Sequence, residues 1–117
     1  MVKSLAYGAC LLSLVFLATS CAGLRSIDLR DAHIVDVRTP QEFSHGSATH
    51  AINIPLGELR QRLHELRDKK YIVVFCHTGI RSTLAASVLR KNGFRHIINA
   101  GTWQRADKQI RLNNTIQ

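Results

Sequence analysis

The sequence predicts an α/β domain: a mostly parallel central sheet with helices on both faces. Three observations carry that reading. His33-Ile34-Val35-Asp36-Val37 and Tyr71-Ile72-Val73-Val74-Phe75 are short runs rich in β-branched residues, and so read as buried strands. Segments with helical spacing follow these runs, and such alternation builds parallel strands joined by crossovers. At 117 residues and 45% hydrophobic content, the chain has room for one core of this kind.

The first 20 residues stand apart from that core and read as a signal peptide. Lys3 gives a positive start, Leu5 to Leu17 an apolar stretch, and Ala18-Thr19-Ser20-Cys21 a small-residue processing site. The apolar stretch is short for a membrane-spanning helix, which needs about 20 residues. A cysteine directly after small residues is the pattern of a bacterial lipoprotein signal, so Cys21 is expected to carry lipid. An ordinary secretory signal cut before Cys21, or an uncleaved anchor, are the alternatives. The chain then divides into signal (1–20), linker (21–26), domain (27–111) and a frayed tail (112–117). The expected location is the bacterial envelope, facing the periplasm and held to a membrane by lipid.

Within the domain, a short lead with a helical turn near Ser26 precedes the first strand. Thr39-Pro40-Gln41-Glu42 is a helix start: a threonine cap, proline in the first turn and glutamate three residues after the cap. Asp36 and Arg38 fall at the carboxyl end of their strand, the edge where open α/β sheets bind ligands. Leu56, Leu59, Leu63 and Leu66 predict a helix over Glu58 to Arg67. A second helix follows Ser82, with Leu84, Val88 and Leu89 as its apolar face and Asn92-Gly93 as its stop. Ile97-Ile98 reads as a short strand, Thr102 to Ile110 as a basic helix, and Trp103 as core packing.

Chemistry concentrates in Cys76-His77-Thr78-Gly79-Ile80-Arg81-Ser82, between the strand ending at Phe75 and the helix that follows. A glycine allows backbone angles closed to other residues, so the N–H groups of such a turn can converge on one point. The helix start adds partial positive charge there. A cysteine at that point is held as thiolate, the form that attacks. A lone cysteine at a strand end is more often inert packing, but packing does not call for Gly79 and Arg81 in the turn. Loss of Cys10 with the signal and of Cys21 to lipid would leave Cys76 as the sole free thiol, with no disulfide possible.

Cys-x-x-Gly-x-Arg-Ser after an apolar strand resembles the active-site loop of the rhodanese homology family, the sulfurtransferases. Ile34 to Phe43 resembles that family's first strand and short helix, Ala51 to Leu56 its second strand, and Gly93-Phe94 with Asn99-Ala100-Gly101 its closing segment. Within the family the chain looks most like the short exported thiosulfate sulfurtransferases of the phage-shock type. The resemblance implies a single rhodanese-like domain in which Cys76 is the nucleophile and His77, Thr78, Gly79, Ile80, Arg81 and Ser82 form the substrate loop. Asp36 and Arg38 would be supporting, and no cofactor is implied. Thiosulfate would give its outer sulfur to Cys76, and a thiol or cyanide would remove it. Arg81 either binds the donor's oxygens or folds inward to hold the loop. His77 favours an anionic donor over 3-mercaptopyruvate. The alternatives are an exported persulfide carrier and a non-catalytic binding module. Related dual-specificity phosphatases place five residues between cysteine and arginine. Here there are four, which argues against phosphatase chemistry. Where the family usually has Gly-His-Ile-Pro-Gly, this chain has Ser47, Thr49 and His50 in place of the histidine, proline and second glycine.

His45 and His50, without cysteine or clustered carboxylate, fall short of a metal-ligand set, so no metal is expected. The formal charge is +8 with a pI near 10.1, a balance that often marks nucleic-acid binding. The basic residues are spread over several elements and resemble no nucleic-acid module, so nucleic acid is not an expected partner. The charge reads instead as a solvated surface attractive to anions, substrate and acidic lipid headgroups among them. A monomer is expected.

Overall fold

A computed structural model describes Leu24 and residues 27–116. The predicted signal peptide, Cys21 and all of the linker except Leu24 lie outside the described residues. A 3-10 turn at Leu29–Asp31 opens the domain, capped by Asp28, whose carboxylate accepts from the Arg30 N–H. The elements that follow are β1 (Ala32–Asp36), α1 (Pro40–Ser44), β2 (Ile52–Asn53), β3 (Tyr71–Cys76), α2 (Ile80–Lys91), β4 (Ile97–Thr102) and α3 (Trp103–Ile116). The strands form one parallel sheet in the order β2-β1-β3-β4, as the alternation of strand and helix signals predicts.

β3 is buried on both faces, which explains its unbroken apolar sequence. Ile72, Val74 and Cys76 point to one side, into a core completed by Leu59, Leu66 and the inner face of α2. Val73 and Phe75 point to the other, against Ala106 and Ile110 of α3. Each such side chain removed from water contributes about 1.5–3 kcal/mol, so this strand is the most firmly held part of the sheet. The last residue of the strand is Cys76, and that firmness fixes where its sulfur sits.

Several elements differ from the sequence expectation. The leucine-rich segment forms two 3-10 turns, Leu56–Gln61 and Leu63–Leu66, rather than one helix. Leu56/Leu59 and Leu63/Leu66 are each three apart, the repeat of a 3-10 turn, and the four-residue step between them falls at a break at Arg62 (φ −114°). Arg62 bridges Glu58 and Glu65 across that break. In α2 the buried residues are Ser82, Ala85, Ala86 and Leu89, whereas Leu84 is 53% exposed. Turning Ser82 inward selects the face at i+3, i+4 and i+7 from it, and Leu84 falls outside that stripe.

β4 runs on past Ile98 to Thr102, and its register slips by one residue opposite Val74/Phe75. Asn99 supports the irregularity by accepting from the Gly101 N–H, and Gly101 takes φ +77°. The predicted tail at 112–117 is helical to Ile116, because Asn113 is buried and donates to the carbonyls of Leu24 and Ile27. A polar residue in an apparently polar end thus ties α3 to the start of the domain.

Candidate active site

The strand-to-helix turn forms as the sequence predicts. Gly79 takes φ +97°, ψ −12°, the left-handed region that glycine enters without steric cost. In that conformation its N–H donates to Cys76 Sγ at 3.0 Å. Its carbonyl is turned outward of the cup and accepts from Ser82 Oγ (3.0 Å), Thr83 Oγ1 (2.8 Å) and the Thr83 N–H (3.1 Å). Ser82 is fully buried, and its Oγ stands 3.7 Å from Sγ.

Cys76 itself is completely buried and belongs to the core on the α2 side. Burial pushes its thiol up, but the amides of Ser82, Gly79 and Thr78 and the Ser82 hydroxyl oppose it. The balance leaves Cys76 below an ordinary thiol. A cysteine serving only as packing would lack such donors. The sulfur is apolar on its inner side and polar on its outer side.

His77, Thr78 and Ile80 are exposed around this cup. Two recesses flank it. One of about 580 Å³ is lined by Thr78, Gly79, Ile80, Leu84, Gly101 and Arg105 among others. The other, about 400 Å³, includes Arg38, Glu42, His45, His77 and Trp103. Trp103 is only partly core: it packs against the α3-side cluster, lies 5.4 Å from the Arg38 guanidinium and helps to wall this second recess. A Cβ at Gly46 would come within van der Waals contact of the Trp103 indole ring, at 3.8 Å.

Arg81 neither points into the cup nor bonds the loop carbonyls. It reaches α1 and donates to both carboxylate oxygens of Glu42, at 2.8 and 2.9 Å. Glu42 also accepts from the Thr39 N–H, closing the predicted capping box. The Arg81 guanidinium and the Thr39 donors hold the Glu42 carboxyl well below the ordinary range. The sequence marks Glu42 only as a capping residue; its second role rests on Arg81, 39 residues away, and has no local signal.

Asp36 and Arg38 form a second, deeper pair, with contacts of 2.6–3.0 Å and both residues buried. Ser47 donates to Asp36 Oδ2 at 2.7 Å, and Arg38 donates to the Gly46 carbonyl at 2.7 Å. The pair makes no hydrogen bond to Cys76 or its loop and instead fixes the 45–50 segment. There His50 takes φ +62°, the left-handed conformation suited to the glycine expected at this position. Thr49 is tied by Asp107, through its N–H at 2.8 Å and its hydroxyl at 2.7 Å. Among the described residues no group of three or more metal-ligating side chains comes together, and His45 binds the Gln41 carbonyl through Nδ1.

A parallel four-stranded sheet that delivers a cysteine into an amide-lined cup defines a class: the chain belongs to the rhodanese-like domain family, whose model matches residues 24–104. YqhL of Bacillus subtilis (strain 168), an uncharacterized protein, is 46% identical over 70 residues, 60% of this chain and 56% of that protein. The thiosulfate sulfurtransferase PspE of Escherichia coli (strain K12) is 38% identical over 71 residues, covering 59% of this chain and 68% of PspE. A solved rhodanese with anions from E. coli superposes with a TM-score of 0.59 at 33% identity, over 63% of this chain and 89% of that one. The chain thus spans little more than half of the first of these relatives. Several of the relatives it matches are named as sulfurtransferases.

Proposed function

We propose that this protein moves a sulfane sulfur from a small anionic donor, thiosulfate foremost, to a thiol or cyanide through a persulfide on Cys76. The observation that carries this is the Gly79 N–H aimed at Sγ at 3.0 Å, within a ring of donors that favours the thiolate. The thiolate attacks the outer sulfur of thiosulfate, the S–S bond breaks and sulfite leaves with the bonding pair. Cys76 then carries a persulfide anion, which the same amides stabilise. Cyanide or a thiolate attacks its terminal sulfur, thiocyanate or a new persulfide departs, and Cys76 returns to thiolate. In this reading Arg81 is a positioning residue that locks the loop to α1, while exposed His77 and Thr78 meet the donor. Asp36 and Arg38 support the neighbouring loop. Thiocyanate formation from thiosulfate and cyanide tests the reading. Wild type should turn over with ping-pong kinetics and Cys76→Ser should be inactive; equal activity of the two would refute it.

We also propose that the protein is exported as a lipoprotein, with Cys21 lipidated and the domain facing the periplasm. The support is the charged start, apolar stretch and small-residue cysteine site in residues 1–21. Metabolic labelling with a palmitate analogue should mark the protein at Cys21. An unlabelled product, soluble in the periplasm, would contradict this placing.

A further inference from the structure

One end of the sheet carries a basic surface that sulfur chemistry does not use. β1 and β3 begin side by side, with Ala32 opposite Tyr71, and β4 begins beside them, with Ile97 opposite Ile72. A groove of about 380 Å³ opens at this end, lined by Arg67, Lys69, Lys70, Phe94, Arg95 and His96. No carboxylate lines it. Arg67 lies over the Phe94 ring at 4.7 Å and donates to the Asn92 carbonyl, which fixes its guanidinium on the groove wall. Lys70 lies over Tyr71, and Tyr71 packs edge-on against His96. The carboxylates nearby already have partners, Asp31 at the groove's own edge. Asp31 accepts from the Lys70 N–H, Asp68 binds His33 at 2.6 Å, and Asp28 holds Arg30. Exposed Arg90 and Lys91 end α2 next to Asn92 and extend the positive face.

This end also receives the start of the domain. Leu24 and Ile27 accept hydrogen bonds from Asn113, in the last turns of α3, and pack in one cluster with Ala32 and Tyr71. Cys76 closes β3 five residues from Tyr71, about 17 Å away at the opposite end. From Leu24 back to Cys21 is three residues, a reach of at most about 11 Å.

We propose that this strand-start face binds the phosphate headgroups of anionic phospholipids, laying the domain on a bilayer with the Cys76 loop turned outward. The groove supplies guanidinium and ammonium donors for phosphate, and the flanking cations extend the attraction over a surface rather than a point. An anchor at Cys21 would hold this face within reach of the headgroups, so the orientation rests on the lipoprotein reading above, while the binding chemistry does not. A soluble phosphate ligand would use the groove alone and would leave Arg90, Lys91 and the chain entry unexplained.

The test uses the full chain reconstituted with vesicles of phosphatidylcholine, alone or mixed with phosphatidylglycerol. Amine-reactive labelling is read by mass spectrometry at Lys69, Lys70 and Lys91, with Lys108 midway along α3 as internal reference. The expected result is at least about threefold protection of the three lysines, relative to Lys108, on phosphatidylglycerol vesicles only, and its loss at high salt. Equal labelling on both vesicles would overturn the proposal. Equal protection by inorganic phosphate without vesicles would also overturn it, by assigning the groove to a soluble anion. Flotation with pure phosphatidylcholine reports the anchor separately. If that flotation fails while phosphatidylglycerol still protects the lysines, the anchor reading falls and the headgroup face stands.

Discussion

Arg81 and Glu42 form a two-pronged ion pair across 39 residues of sequence, joining the helix after the Cys76 loop to the cap of α1. Both side chains are about one-third exposed, so the pair contributes modestly, about 1 kcal/mol after solvent screening. Its larger effect is geometric, because it sets where α2 begins relative to the Cys76 cup. Arg81→Ala and Glu42→Gln should therefore lower kcat by a similar factor, about tenfold, with little change in KM for thiosulfate. If Arg81 instead bound the donor, Arg81→Ala alone would raise KM steeply. The stability lost in Glu42→Gln should shrink as pH falls below about 4.3, where the unfolded glutamate takes up a proton that the folded one does not. Urea midpoints across acid pH check the sign.

Cys76 owes its low-lying ionisation chiefly to hydrogen-bond donors, against the effect of burial, and Arg81 also interacts with it favourably through charge. The thiolate is the reactive form, so alkylation by iodoacetamide should rise through a midpoint below that of a free thiol. Ser82→Ala removes the hydroxyl 3.7 Å from Sγ and the 3.0 Å bond to the Gly79 carbonyl. That midpoint should then move up, and stability should fall by about 1 kcal/mol. An unmoved midpoint would mean that the hydroxyl plays no part in holding the thiolate.

Gly79 and Gly93 provide a matched pair. Their φ values are +97° and +89°, and a Cβ would meet no atom closer than 3.8 Å at Gly79 and none within 4 Å at Gly93. Either change to alanine costs backbone strain of about 1–2 kcal/mol and no clash. At Gly79 the strain is relieved by rotating the amide off Sγ, whereas at Gly93 it is relieved at the end of α2, far from the cup. Both variants should lose comparable thermal stability, but only Gly79→Ala should lose sulfur-transfer activity, by about tenfold or more. Equal activity in both would detach the amide cup from catalysis.

The parts of this molecule readable in the sequence are those set by neighbours along the chain. β1, β3, the Thr39–Glu42 cap, the Gly79 turn and the Asn92-Gly93 stop all follow from local propensity and backbone sterics. What escaped depends on partners far away in sequence. Leu84 has the spacing of a core residue, but inward-turned Ser82 chooses another face of α2. Asn113 reads as a fraying polar end until the carbonyls of Leu24 and Ile27 are placed beside it. Ser47 reads as a departure from the family loop, yet its hydroxyl meets Asp36 and the loop holds. The two 3-10 turns had a local signal, the three-residue leucine spacing, which a helical reading absorbs too readily.

The central claim is that Cys76 accepts sulfur. Intact-protein and peptide mass spectrometry after brief exposure to thiosulfate tests it most directly. One added sulfur atom is expected, located on Cys76, removed by cyanide and absent from Cys76→Ser. A folded wild-type protein that takes up no sulfur, or takes it up elsewhere, would contradict it.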